Sequence, residues 1–278
     1  YIETGVTQNL TASNKGYDVS PQFNEAGTLA WMQMKRDGFE ADKQDLIVLV
    51  NGKFAVNLTA HRDDIHVEGF KWSEDGKSLF FWAPVNGTLQ LFQVNNTGLT
   101  KMLPVIQQLT SGDFDITGIV AQTENTLVVS RTDMNTASEL YTLNLKDKSM
   151  QQLTHVNDAF YQTIAKCKTE RRWVNTTDGK KMLVWVIYPP NFNPANKYPT
   201  LLYCQGGPQS PLTQFYSFRW NFQLMAANGY IIVAPNRRGL PSFGQEWNRQ
   251  ISGDWGGQCM RDYLSAIDDV SKEPYVNK

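Results

Sequence analysis

Trp72-Ser73-Glu74-Asp75-Gly76-Lys77-Ser78-Leu79-Phe80-Phe81-Trp82 decides the fold: an aromatic residue, a polar turn closing on glycine, then an apolar strand. The same signal occurs 49 residues upstream, where Phe23-Asn24-Glu25-Ala26-Gly27 leads into Leu29-Ala30-Trp31. A second repeat runs in step with it. Leu-Thr closes a strand-like run at Leu10-Thr11, Leu58-Thr59, Leu109-Thr110 and Leu153-Thr154, at spacings of 48, 51 and 44 residues. In the third unit the turn is degenerate, with Ile119-Val120-Ala121 and Leu127-Val128-Val129 flanking Gln122 to Thr126.

Each unit holds further strands. Asp45 to Val50 turns at Asn51-Gly52 into Phe54-Ala55-Val56, and Leu89 to Val94 alternates between apolar and polar residues. Asn-Gly between apolar runs is a strong hairpin signal. Short strands repeating every 44 to 51 residues fit the four-stranded blades of a β-propeller. A β-sandwich with coincidental spacing is the alternative. The spacing predicts about three blades in residues 1–165, whereas closed propellers typically have four to eight. Because an open arc exposes apolar blade faces, further blades are expected before Tyr1.

From about Cys167 the pattern changes. Arg171-Arg172-Trp173-Val174 and Lys181 to Tyr188 read as strands around an Asp178-Gly179 turn, followed by Tyr198 to Cys204 as a third strand. A helix from Trp220 to Asn228 stops at Gly229, and Tyr230 to Pro235 is an apolar run of the kind seen in buried parallel strands. A second helix, Gly256 to Lys272, puts Met260, Tyr263, Leu264, Ile267 and Val270 on one face behind Asp254 as N-cap. Strand, helix, strand, helix predicts a parallel sheet. Residues 166–278 therefore read as the N-terminal portion of an α/β-hydrolase domain that should continue past Lys278.

Composition narrows the function. The 278 residues carry 26 basic and 27 acidic side chains, so there is no basic field for nucleic acid or an anionic membrane surface. No apolar run is long enough to span a bilayer. The three cysteines, Cys167, Cys204 and Cys259, are widely separated and odd in number, which argues against a disulfide framework or a cysteine-based zinc site. No metal or cofactor is expected. All three histidines, His61, His66 and His155, precede the second half.

Gln205-Gly206-Gly207-Pro208 follows a strand, where open α/β sheets place their ligands. Two glycines there let backbone N–H groups approach a substrate oxygen closely, as an oxyanion hole requires. An ordinary Gly-Gly-Pro turn is the competing reading.

The ordered set Tyr198-Pro199-Thr200-Leu201-Leu202, Gly206-Gly207-Pro208-Gln209-Ser210, Ala227-Asn228-Gly229-Tyr230, Pro235-Asn236-Arg237-Arg238-Gly239 and Gly253-Asp254-Trp255-Gly256-Gly257, with Asp262, Ala266 and Asp269 beyond, spans about 75 residues. It resembles the prolyl oligopeptidase family of serine peptidases, in the branch of the acylaminoacyl peptidases and the bacterial dipeptidyl peptidases of the fifth type. The upstream repeat is similar to that family's propeller. The resemblance implies that Gly207 donates its N–H to the oxyanion with Gly206 as its conformational partner. Gln205 then stands where prolyl-cleaving members have tyrosine and acylaminoacyl enzymes commonly have histidine, next to the substrate. Arg237, Arg238 and Asp254 read as scaffolding.

The family's serine, aspartate and histidine are expected beyond Lys278, since no G-x-S-x-G occurs in the chain. Ser210, Ser217, Ser242 and Ser265 are poor nucleophile candidates, and the chain by itself is expected to be inactive. The implied function is a serine exopeptidase on short peptides, with an esterase or amidase, or a propeller binding protein with a vestigial α/β segment, as alternatives. The resemblance to bacterial enzymes points to the periplasm; oligomeric state has no signal.

Overall fold

The computed structural model describes residues 2–95 and 103–277. Its first half consists of three four-stranded antiparallel meanders, each with its strands in chain order. The first contains β1 (Asp18–Phe23), β2 (Leu29–Gln33), β3 (Asp45–Val50) and β4 (Phe54–Asn57). The second contains β5 (Gly69–Trp72), β6 (Ser78–Val85), β7 (Thr88–Asn95) and β8 (Ile106–Gln108). The third contains β9 (Asp115–Thr123), β10 (Thr126–Asp133), β11 (Thr136–Asn144) and β12 (Met150–Gln152). These are the blades of a partial β-propeller, and the repeat marks them correctly.

The blades pack face to face. Ala30, Met32, Leu46 and Leu58 of the first meet Phe70, Leu79, Phe81 and Phe92 of the second. The opposite face of the second blade, through Phe80, Leu91 and Leu109, meets Ile116, Leu127 and Leu143 of the third. The period-two alternation along β6 explains this: Phe81 points one way and Phe80 the other, and both are buried.

The Leu-Thr repeat has a physical cause. In every blade it follows the fourth strand and fastens that edge to the third. Leu58, Leu109 and Leu153 donate their N–H to the carbonyls of Leu46, Leu91 and Leu140, each at 2.8 Å. The threonine hydroxyl then accepts the N–H of that same third-strand leucine, at 3.1 Å for Thr59, 2.9 Å for Thr110 and 2.9 Å for Thr154. Each hydroxyl donates to the side chain one residue earlier: Asp45, Gln90 or Glu139. Thus the hydroxyl is both donor and acceptor, which no apolar residue of its size can be. Leu10-Thr11 has no such partner strand, because residues 2–17 form no strand among those described.

The short helix α1 (Asp158–Tyr161) precedes the second half, whose sheet contains β13 (Lys168–Asn175), β14 (Lys181–Tyr188), β15 (Thr200–Leu202) and β16 (Ile231–Pro235) in the order β13-β14-β16-β15. The expectation of a parallel sheet is corrected here, for only β15 and β16 run parallel. The Asp178-Gly179 hairpin makes β13 and β14 antiparallel, and β14 is antiparallel to β16. Helix α2 (Phe222–Ala227) supplies the crossover that a parallel pair needs. This mixed sheet with flanking helices is the N-terminal part of an α/β-hydrolase fold.

Helix α3 (Gln245–Arg249) lies between the Tyr230 to Pro235 run and the second helix, where the sequence reading marks no element, and α4 (Gln258–Val270) packs Ala266 and Val270 on the sheet. Asp254 is not the N-cap of α4. That position is Gly257, while the Asp254 carboxylate accepts the Gln258 N–H at 3.2 Å. A Cβ on Gly257 would stand 2.0 Å from that carboxylate, so the glycine makes the arrangement possible.

Candidate active site

Strands β15 and β16 run parallel, so the loops after them emerge at one edge of the sheet. The first is Gln205-Gly206-Gly207-Pro208, and the second is Asn236-Arg237-Arg238-Gly239. Gly206 and Gly207 are exposed, and neither N–H meets an acceptor among the described residues. Gly207 has φ +131°, a region that side-chain-bearing residues rarely enter, and an added Cβ would sit 3.2 Å from Ser210. Gly206 has open space around it. The loop therefore presents two free amide donors at the sheet's carboxyl edge.

The loop is fastened along its length. The Gln205 carbonyl accepts from Arg237 Nη2 and from the Tyr263 hydroxyl, both at 2.9 Å, and the Pro208 carbonyl accepts from Arg237 Nη1 at 3.3 Å. Further on, the Asn236 side chain holds both main-chain groups of Leu212 at 3.0 Å. Beyond it, Thr213 donates its hydroxyl to Asp115 at 2.6 Å, and the Gln214 N–H reaches the same carboxylate at 3.2 Å. Asp115 belongs to β9 of the third blade and also accepts the Leu89 N–H of the second at 2.7 Å. Burial pushes its carboxyl up to about 6, although three donors oppose the shift.

The neighbouring Arg238 is a scaffold residue, as the sequence suggests. Its guanidinium forks onto Asp178 in the β13–β14 turn and approaches Asp262 of α4 at 3.2 Å. Its two acids respond oppositely. The Arg238 hydrogen bonds hold Asp178 well below the usual carboxylate range, whereas burial raises Asp262.

The second blade also enters the interface through the tip of its β6–β7 hairpin, Asn86-Gly87. The Asn86 N–H donates to the Ser242 carbonyl at 3.2 Å and the Gly87 N–H to the Ser242 hydroxyl at 2.8 Å. Ser242 is buried at φ +104°, and its hydroxyl is occupied as an acceptor. A Cβ on Gly87 would stand 2.4 Å from Leu183. The tip is an Asn-Gly turn flanked by apolar strands, so its hairpin was readable in the sequence; its docking on a residue 155 positions away was not.

Ser217 accepts the Trp220 N–H at 2.8 Å, and Ser265 donates to Arg261 within α4. His66 packs in the first blade, with burial lowering it to about 4, and His155 pairs with Asp158 at 2.7 Å. Cys204, next to the loop, is exposed, while Cys167 and Cys259 are buried. Among the described residues, no cluster of histidine, cysteine or acidic side chains is arranged to hold a metal.

A bladed domain set against the loops of a hydrolase sheet, with free glycine amides at the sheet's carboxyl edge, defines a propeller-bearing α/β-hydrolase. Comparison with known proteins sharpens that class. Residues 216–278 match the prolyl oligopeptidase family. The chain is 42% identical over 280 residues to dipeptidyl-peptidase 5 of Porphyromonas gingivalis, covering 99% of this chain and 40% of that protein. A probable dipeptidyl-peptidase 5 of Aspergillus clavatus is 30% identical over 95% of the chain and 36% of its own length. Among solved structures, the acylaminoacyl peptidase of Pyrococcus horikoshii superposes with a TM-score of 0.82 at 18% identity, covering 98% of this chain and 41% of that one. Dipeptidyl peptidase 4 of P. gingivalis gives 0.70 at 18% identity, over 95% and 37%. Over essentially its whole length the chain is thus similar to part of a prolyl oligopeptidase-type protein, and it spans about 40% of the length of these bacterial curated relatives.

Proposed function

We propose that this chain is part of a serine exopeptidase that removes dipeptides or acylated residues from short peptides through an acyl-enzyme, with the Gly207 N–H as one donor to the oxyanion. The observation that carries this reading is the pair of unpaired glycine amides on a loop whose Gln205 and Pro208 carbonyls are both held by Arg237. A tetrahedral intermediate places negative charge on the former carbonyl oxygen, and fixed N–H donors stabilise it with no reorganisation during the reaction. Relatives named dipeptidyl-peptidase 5 support the substrate class. The nucleophile, its base and its orienting acid lie outside these 278 residues in this reading, with the domain boundary at 165/166. The propeller, set against the sheet, restricts access to short peptides. Resemblance alone supports a periplasmic location, which cell fractionation tests.

The test is to treat the full-length natural polypeptide and residues 1–278 in parallel with dipeptidyl and acyl-aminoacyl chromogenic amides and with a fluorophosphonate. The full-length protein is expected to hydrolyse one amide class and to be labelled once, while residues 1–278 do neither. Labelling of any serine within residues 1–278 overturns the reading.

A further inference from the structure

Arg237 is buried at 3% exposure, and among the described residues no carboxylate pairs with it. Its donors go to neutral groups instead: Nε to the Tyr263 hydroxyl at 3.0 Å, Nη2 to the Gln205 carbonyl at 2.9 Å, and Nη1 to the carbonyls of Arg238 at 2.6 Å and Pro208 at 3.3 Å. An unneutralised buried charge is costly, and scaffolding does not require one: Arg238 alongside is compensated by two acids. The fold also makes room for this guanidinium. Gly239 sits at φ +91°, and a Cβ there would come within 2.7 Å of Arg237 Nη1.

The geometry points to Arg237, with Tyr263, as the positioning residue of the oxyanion loop. The inference rests on the proposed role of Gly207. The carbonyl of Gln205 and the N–H of Gly206 belong to one planar trans peptide and point in opposite directions. Drawing the carbonyl inward with two donors therefore turns that N–H outward. The Pro208 carbonyl, held from the same side, fixes the far end, so that the Gly207 amide between them has a defined direction. The guanidinium also leaves a net positive charge behind the loop, which favours an anion in front of it. Its effect is greatest on the charged intermediate and small on a neutral substrate, so turnover depends on it more than binding does.

The test uses the full-length natural polypeptide with the amide substrate it cleaves. Arg237→Met is expected to lower kcat by about 100-fold, with KM within about threefold, because it costs the loop's alignment. Arg237→Lys should fall between it and the natural protein. Tyr263→Phe, which keeps the buried ring and removes one donor to Gln205, should lose about tenfold. Affinity for a peptide aldehyde, which forms a tetrahedral adduct, should fall in step with kcat/KM, whereas affinity for the dipeptide product should not change. If Arg237→Met does not fold, the Tyr263→Phe split between kcat and KM decides alone. Natural kcat and aldehyde affinity in the folded variants, or equal losses in aldehyde and product affinity, overturn the assignment. If the unsubstituted polypeptide neither cleaves amides nor reacts with fluorophosphonate, the underlying reading fails as well.

Discussion

The two halves of the chain are held together in different ways. The propeller repeats one hydrogen-bonded cell three times, with a threonine hydroxyl bridging the edge of each blade to its third strand. The hydrolase half uses single, long-range polar clamps: Arg238 joins a β-turn to α4, and Arg237 joins two loops. A repeated local device distributes stability over equivalent sites. A clamp used once concentrates it, and losing one partner strands a buried charge.

The sharpest way to test this contrast is to break the Arg238 clamp. Arg238→Met leaves Asp262 fully buried without its cation and should cost about 3–5 kcal/mol, read by chemical denaturation. A loss below about 1 kcal/mol would remove the distinction between the halves.

The next effect is on pH dependence, and it has opposite signs at two sites. Asp115 is raised from 3.8 to about 6, so in that window the folded protein binds a proton that the unfolded chain has released, and its contribution falls as pH rises. His66 is lowered from 6.5 to about 4, so the unfolded chain binds the extra proton and the contribution of His66 is lost as pH falls. Each amounts to on the order of 2–3 kcal/mol, and between about pH 4 and 6 they largely offset. In His66→Gln, stability should therefore decline as pH rises from 4 to 6, and adding Asp115→Asn should flatten that profile. A profile unchanged by His66→Gln would mean that His66 does not titrate as its burial implies, and one unchanged by the added Asp115→Asn would mean the same of Asp115.

The smallest effects come from the threonine cells. Thr59→Val and Thr110→Val should each cost about 1–2 kcal/mol by stranding a buried N–H, and Thr154→Val less, because that residue is only half-buried. The double variant of Thr59 and Thr110 should be additive in denaturant titrations, since the cells share no partner. Strong coupling between them would mean that the cells do not act independently.

The same contrast decides how much could be read in advance. The blades were legible because their hydrogen bonds recur: Leu-Thr appears wherever the cell does, and the Trp72 to Gly76 turn has its counterpart 49 residues earlier. The glycine loop was legible as a candidate because Gly206-Gly207 follows a strand. The role of Arg237 was not, since nothing near it in sequence shows that its guanidinium reaches 32 positions back to Gln205. The parallel sheet was overread because strand and helix alternation does not show that β14 precedes the first parallel pair and runs against it. The missed helix α3 has only five residues and no side-chain cap to announce it.

The hairpin tip at Asn86-Gly87 has a consequence for domain recombination. Because a Cβ on Gly87 would strike Leu183, and Ser242 receives both tip amides, the two halves meet as key and lock. A chimera that grafts blades from a relative onto this hydrolase sheet must bring a side-chain-free tip of the same length, or exchange Leu183 and Ser242 along with the blades. Crossover points should accordingly be chosen by this pair of partners rather than by the stretch of chain that links the halves.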